Sequence, residues 1–199
     1  LHAADGDPQW LDQALRLTDL AGEFFADQLH GGYYFSPHDG ERLLIRDKEF
    51  YDGALPSGNS VMALNLVRLA RLTGRSELER AAGKLFRACG EGLTSQPMAH
   101  TQMLVALDLA LSPGQEVVIA GDPADPAAQA LAAAARRGFA PQRCLLWLPP
   151  GEAGQRVREL APFTTGMGPV EGRPAAYVCR DFACQRPVSD PGELAEALA

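Results

Sequence analysis

Between Val61 and Leu72 almost every side of a helical projection is apolar: Val61, Met62, Leu64, Leu66, Val67, Leu69, Ala70 and Leu72. A helix that is hydrophobic all round has no face to offer water and must be buried by neighbours. Such neighbours are present on both sides of it. Asp7-Pro8 puts an N-cap residue before a proline at the first helical position. Trp10, Leu11, Ala14, Leu15, Leu17, Ala21, Phe24 and Phe25 then recur at helical spacing, which predicts a helix over 8–29 that stops at Gly31-Gly32. Gly74 ends the buried helix as a C-cap. Ser76 to Glu79 has the capping-box pattern and opens a helix to about Cys89. Pro97 opens a fourth, with Met98, Met103, Leu104, Leu107 and Leu111 on one side and Pro113-Gly114 closing it.

The pattern changes after residue 114. EVVIA (116–120), CLLWL (144–148) and AAYVC (175–179) are short apolar runs of strand length, separated by helical stretches over 126–137 and 152–160. Asp190-Pro191 caps a last helix. Strands alternating with helices imply parallel pairing through right-handed crossovers. The expected fold is mainly α, with helical hairpins over 1–113 and a small α/β C-terminal subdomain over 114–199.

The densest polar constellation is the loop 46–60, which holds Arg46, Lys48, Glu49, Asp52, Ser57, Asn59 and Ser60 and feeds the buried helix. Glu49 and Asp52 read as a carboxylate pair suited to acid/base work at a sugar. Arg46, Lys48, Ser57 and Asn59 would position hydroxyls. The same residues also read as a capped, solvated connection, with Ser57 or Asn59 capping the helix. Upstream, Gly31-Gly32-Tyr33-Tyr34-Phe35 places aromatic faces after a flexible turn, where Tyr33 and Tyr34 could stack on a ligand or pack on helices. Residues 33–35 and 42–46 could pair as a short hairpin around Ser36-Pro37-His38-Asp39-Gly40.

Other chemistries find less support. With 18 Lys+Arg against 25 Asp+Glu the net charge is −7, which speaks against nucleic acid as the main partner. No apolar run is long enough to span a membrane. Four cysteines in 199 residues do not make a disulfide scaffold, so a reducing cytoplasm is the expected location. Cys179 and Cys184 flank RDFA, a spacing wider than that of a redox pair, and neither Cys89, Cys144 nor the four histidines complete a zinc set. They are expected to be structural or free thiols, with no metal or cofactor. Gly121-Asp122 follows a strand as in nucleotide loops, but no glycine-rich fingerprint continues it.

Four strings occur in order: GGYYF, DGERLLIRDKEFYDGALPSGNSVMALNLVRLARLTG, EVVIAGD and GRPAAYVCRDFACQRPVSDPGEL. Together they resemble the C-terminal portion of the spermatogenesis-associated protein 20 family, thioredoxin-domain-containing proteins of unknown function. The resemblance implies a much longer protein, and Leu1 at the start is consistent with that. It implies an N-terminal thioredoxin-like domain, followed by an (α/α)6 toroid similar to N-acylglucosamine 2-epimerases and six-hairpin glycosidases. This chain would carry part of that toroid and its α/β tail. It has no Cys-x-x-Cys, so no redox role is carried over. The toroid analogy makes the two loops a pocket. Glu49 and Asp52 would be its catalytic candidates, and Gly32, Tyr33, Tyr34, Arg46, Lys48, Ser57 and Asn59 would bind a sugar-like ligand. His30, His38 and His100 lie outside the matching strings. The alternative is a non-catalytic scaffold serving the thioredoxin-like domain. An arc of a toroid does not close on itself, so residues 61–72 are expected to expose apolar surface unless the N-terminal part or a partner covers them.

Overall fold

The computed structural model describes residues 1–198. Its elements are α1 (His2–Asp5), α2 (Pro8–Phe25), α3 (Gly58–Thr73), α4 (Ser76–Ala88), α5 (Gly90–Ser95), α6 (Thr101–Leu111), β1 (Gln115–Ala120), α7 (Pro126–Ala135), β2 (Arg143–Leu148), α8 (Gly151–Leu160), β3 (Ala175–Arg180), β4 (Ala183–Cys184) and α9 (Pro191–Ala197). The chain is mainly helical, with one small mixed sheet. It divides into two compact units. The helical unit holds 14–70 and 75–112, and the α/β unit holds 1–13, 71–74 and the chain from Pro113 onward.

In the helical unit Leu15, Ala63, Leu66, Val67, Leu69, Leu78, Ala82, Leu85, Met103, Ala106 and Leu109 are buried. The α3 helix is therefore covered within the chain, contrary to the expected exposure of 61–72: of its large apolar side chains only Val61 is exposed. Ser57 caps α3, its Oγ accepting the Ser60 N–H at 3.1 Å. The α4 helix begins after Arg75 with no side-chain cap, because Ser76 lies inside the helix and its Oγ accepts from Arg80. The α2 helix ends at Phe25, four residues short of the expected end, since the carboxylate of Asp27 draws the next backbone N–H groups out of helical pairing. The expected hairpin between 33–35 and 42–46 does not form. Tyr33 bridges to Ala26 and the Phe35 N–H donates to Asp47 O at 2.9 Å, leaving 36–57 without regular structure.

In the α/β unit the strand order is β2-β1-β3-β4. The β1 and β2 strands pair in parallel, from Gln115↔Arg143 to Ala120↔Leu148, as the pattern predicts. The β3 strand runs antiparallel to β1, with Ala175 opposite Ala120. This corrects the expectation of parallel pairing throughout. After α8 brings the chain back along the sheet, residues 161–174 carry it forward again, so β3 starts where β1 ends. Val117, Ile119, Trp147, Ala176 and Val178 form a core with Leu131, Ala132 and Ala135 of α7 and Leu194 of α9. Asp190 caps α9, accepting from the N–H groups of Gly192 and Glu193.

Cys179 and Cys184 form a disulfide, which corrects the expectation of structural or free thiols. Register is the reason: they are directly opposed partners in the β3–β4 pair. Cys89 and Cys144 are buried and take no part in this disulfide.

Candidate functional site

The candidate residues of the helical unit gather where the chain leaves α2 and where it enters α3. Asp27 organises the first part, although no motif singles it out in the sequence. Its side chain is 6% exposed. One carboxylate oxygen accepts the N–H groups of Leu29 and His30, at 2.9 and 3.0 Å. The other accepts Tyr34 OH at 2.8 Å and Lys48 Nζ at 2.7 Å. The Lys48 ammonium, followed by the His30 N–H, holds this carboxyl far below the usual carboxylate range against the cost of burial. Accepting that same phenol proton raises the Tyr34 pKa.

Lys48 also donates to Gly31 O at 2.9 Å. The Arg46 guanidinium lies 4.1 Å from the Tyr34 ring centroid and donates to Ser36 O at 2.6 Å. Tyr34, Arg46 and Lys48 are thus brought together, Tyr34 and Lys48 directed at Asp27 and Arg46 at the Tyr34 ring and the Ser36 carbonyl, with Arg46 Nε buried without a hydrogen-bond partner among the described residues.

Asn59 ties the two loops. Its Oδ1 accepts the Tyr33 N–H at 2.7 Å, and its Nδ2 donates to Tyr33 O and Glu49 O at 3.0 and 2.8 Å. Gly32 must pass close beneath this clamp at φ +80°. A Cβ there would sit 2.8 Å from the Phe50 ring and 3.3 Å from Asn59 Oδ1, so only glycine fits.

Asp52 is buried and accepts the N–H groups of Ser57, Gln102 and Met103, at 2.9, 2.8 and 3.1 Å. It therefore caps α6 from a loop some 50 residues upstream. Ser57 and Asn59 are likewise buried and paired.

Glu49 stands apart. It is exposed, accepts the Tyr51 N–H at 2.7 Å, and lines a cleft of about 140 Å³ with Phe25, Tyr33, Tyr34, Phe35, Asn59 and Met62. Asp52 does not line that cleft. One carboxylate and aromatic faces can contact a hydroxylated ligand, while the Asn59 amide is already engaged with Tyr33 and Glu49. The second carboxylate that acid/base work at a sugar needs points at the α6 N-terminus instead.

Two further clusters escaped sequence reasoning. Cys89 Sγ lies 3.7 Å from His100 Nδ1, which also contacts Phe50 O at 2.8 Å. Burial, then the nearby Asp52 charge, raises the Cys89 pKa, so the thiol stays protonated and weakly nucleophilic. In the α/β unit Arg71 Nη1 is 2.6 Å from Asp181 and 3.6 Å from the buried Glu116. Burial pushes the Glu116 carboxyl up, while the Phe182 N–H and Arg71 oppose the shift. Among the described residues no group of three or more His, Cys, Asp or Glu is placed to hold a metal ion, and no helix is long and apolar enough to cross a membrane.

A helical unit with an internally clamped polar loop, alongside a small mixed α/β unit, defines the class of this chain. No protein-family model matches it. Over all 199 residues it is similar to Spermatogenesis-associated protein 20 of Rattus norvegicus and of Homo sapiens, 34% identical in each case, covering 100% of this chain and 25% of each relative. It is also similar to an uncharacterized protein of Caenorhabditis elegans, 28% identical over 197 residues, covering 98% of this chain and 26% of that protein. The resemblance to the spermatogenesis-associated protein 20 family therefore runs the whole length of the chain, which spans about a quarter of those relatives. Their names state no reaction, ligand or partner.

Proposed function

We propose that the helical unit is an arc of an (α/α)6-type toroid with a non-catalytic, scaffolding role. Its segment 35–55 docks on the N-terminal part of a protein of the relatives' length, where the thioredoxin-like domain is expected. The observation that carries this reading is exposure. Leu44, Ile45, Leu55 and Phe35 are 106, 79, 82 and 67% exposed on a segment held by hydrogen bonds at Arg46, Asp52 and Asn59. Apolar side chains held out on a pinned loop mark an interaction surface. The relatives are about four times as long as the region matched here, which is consistent with such an occupant.

Size-exclusion with light scattering on the 199-residue chain tests this. The exposed segment predicts self-association that rises with concentration and is abolished by Leu44→Ser with Ile45→Ser. A chain that stays monomeric at all concentrations refutes it.

A second reading is supported by the cleft beside Glu49. Phe25, Tyr33 and Asn59 could there bind a sugar-like small molecule. A thermal-shift panel of monosaccharides with Glu49→Gln as control decides it. If no sugar shifts the melting temperature, this reading falls.

A further inference from the structure

We propose that a second pocket, on the other side of the Gly31-Gly32 turn, binds a small phosphate-bearing anion. It has a volume of about 280 Å³ and lies between the turn 28–31 and the last turns of α4, with Gln28, His30, Gly31, Lys84, Arg87 and Ala88 around it. It shares no residue with the cleft at Glu49, and it is independent of the scaffolding proposal.

Its two walls are held in place. Lys84 and Arg87 are three apart on α4 and share a helix face. The opposite wall packs directly on that helix: a Cβ on Gly31 would come 2.9 Å from Lys84 O and 3.3 Å from Ala88 Cβ. Asp27 pins the turn through the Leu29 and His30 N–H groups, and Lys48 pins it through Gly31 O.

Charge then selects the ligand. The chain carries −7 overall, yet no carboxylate lines this pocket. The Asp27 carboxylate, which pins the turn, is paired with Lys48 at 2.7 Å and lies 3.4 Å from the His30 ring nitrogen Nδ1. Basic residues in a last helical turn complement the helix dipole without any facing wall. Here Gln28 and His30 line the facing wall, so polar side chains of two segments border one space. The guanidinium fork of Arg87 matches two oxygens of a phosphate, and Lys84 adds a point charge. A volume just under the usual ligand-pocket range of about 300–1,000 Å³ suits a phosphate with a small substituent, not a nucleotide.

Calorimetric titration of the 199-residue chain with inorganic phosphate, and separately with glycerol phosphate, tests the proposal. Saturable one-to-one binding is expected, weakening with added salt. It should weaken at least ten-fold in Lys84→Gln/Arg87→Gln and stay unchanged in Arg137→Gln. Both replaced side chains are exposed, so the double variant should melt at the parent temperature. Equal affinity for the two probes identifies the phosphate group itself as the ligand. Tighter glycerol phosphate binding identifies an organic ester. No saturable binding of either probe, or binding untouched by the double substitution, overturns it.

Discussion

Replacing Asp52 separates a structural carboxylate from a catalytic one. Its two oxygens accept backbone N–H groups from Ser57, Gln102 and Met103, all within 3.1 Å. Hydrogen bonds to a charged group contribute about 1.5–3 kcal/mol each, although such contributions do not add fully. Loss of a helix N-cap alone costs about 1 kcal/mol. Asp52→Ala leaves buried N–H donors with no acceptor, at about 1–3 kcal/mol for each one stranded. Asp52→Asn keeps one acceptor oxygen but turns an NH2 group toward an N–H donor, so about 2–3 kcal/mol is expected. At roughly 2–4 °C per kcal/mol, the asparagine variant should melt about 4–12 °C below the parent and the alanine variant lower still. Differential scanning fluorimetry with circular dichroism reads both. An asparagine variant that melts within about 1 °C of the parent would refute the capping role and restore Asp52 as a candidate acid or base.

Two further outcomes follow from the geometry. Gly32→Ala should cost about 2 kcal/mol or more, because it combines a positive φ with a clash on Phe50, and urea titration of the chain measures it. Glu116 has its folded pKa raised above its unfolded value by burial, so its contribution favours folding below the unfolded pKa and is lost as pH rises through the folded one. Glu116→Gln should therefore raise the melting temperature at pH 7 and leave it unchanged near pH 4; a loss at pH 7 would show that the Arg71 pairing outweighs burial.

Local signals were legible in the sequence. Gly74 after α3, Ser57 before it and Asp190 before α9 act within a turn of their own position, and the structure has each in its expected role. The runs at 116–120, 144–148 and 175–179 lie within strands for the same reason: their composition suffices. What was hidden depends on distant partners. The direction of β3 is decided by the forward run of 161–174, which has no strand pattern of its own. The Cys179–Cys184 pairing follows from register across a turn whose central residues, Asp181 and Phe182, both take positive φ without being glycine. Asp27 and Asp52 look alike in sequence to any loop aspartate, and their roles come from Lys48 and from the start of α6. Glu49 and Asp52 lie close in the chain, yet one faces the cleft and the other a helix end.

The central claim is that 35–55 is a docking face. Burying one leucine or isoleucine side chain is worth about 1.5–3 kcal/mol, so covering Leu44 and Ile45 should suppress local opening strongly. Amide hydrogen exchange across 41–46 measures this directly, comparing the 199-residue chain with a protein of the relatives' length that contains it. At least ten-fold slower exchange in the longer protein is predicted, whereas equal exchange in the two would contradict the docking role.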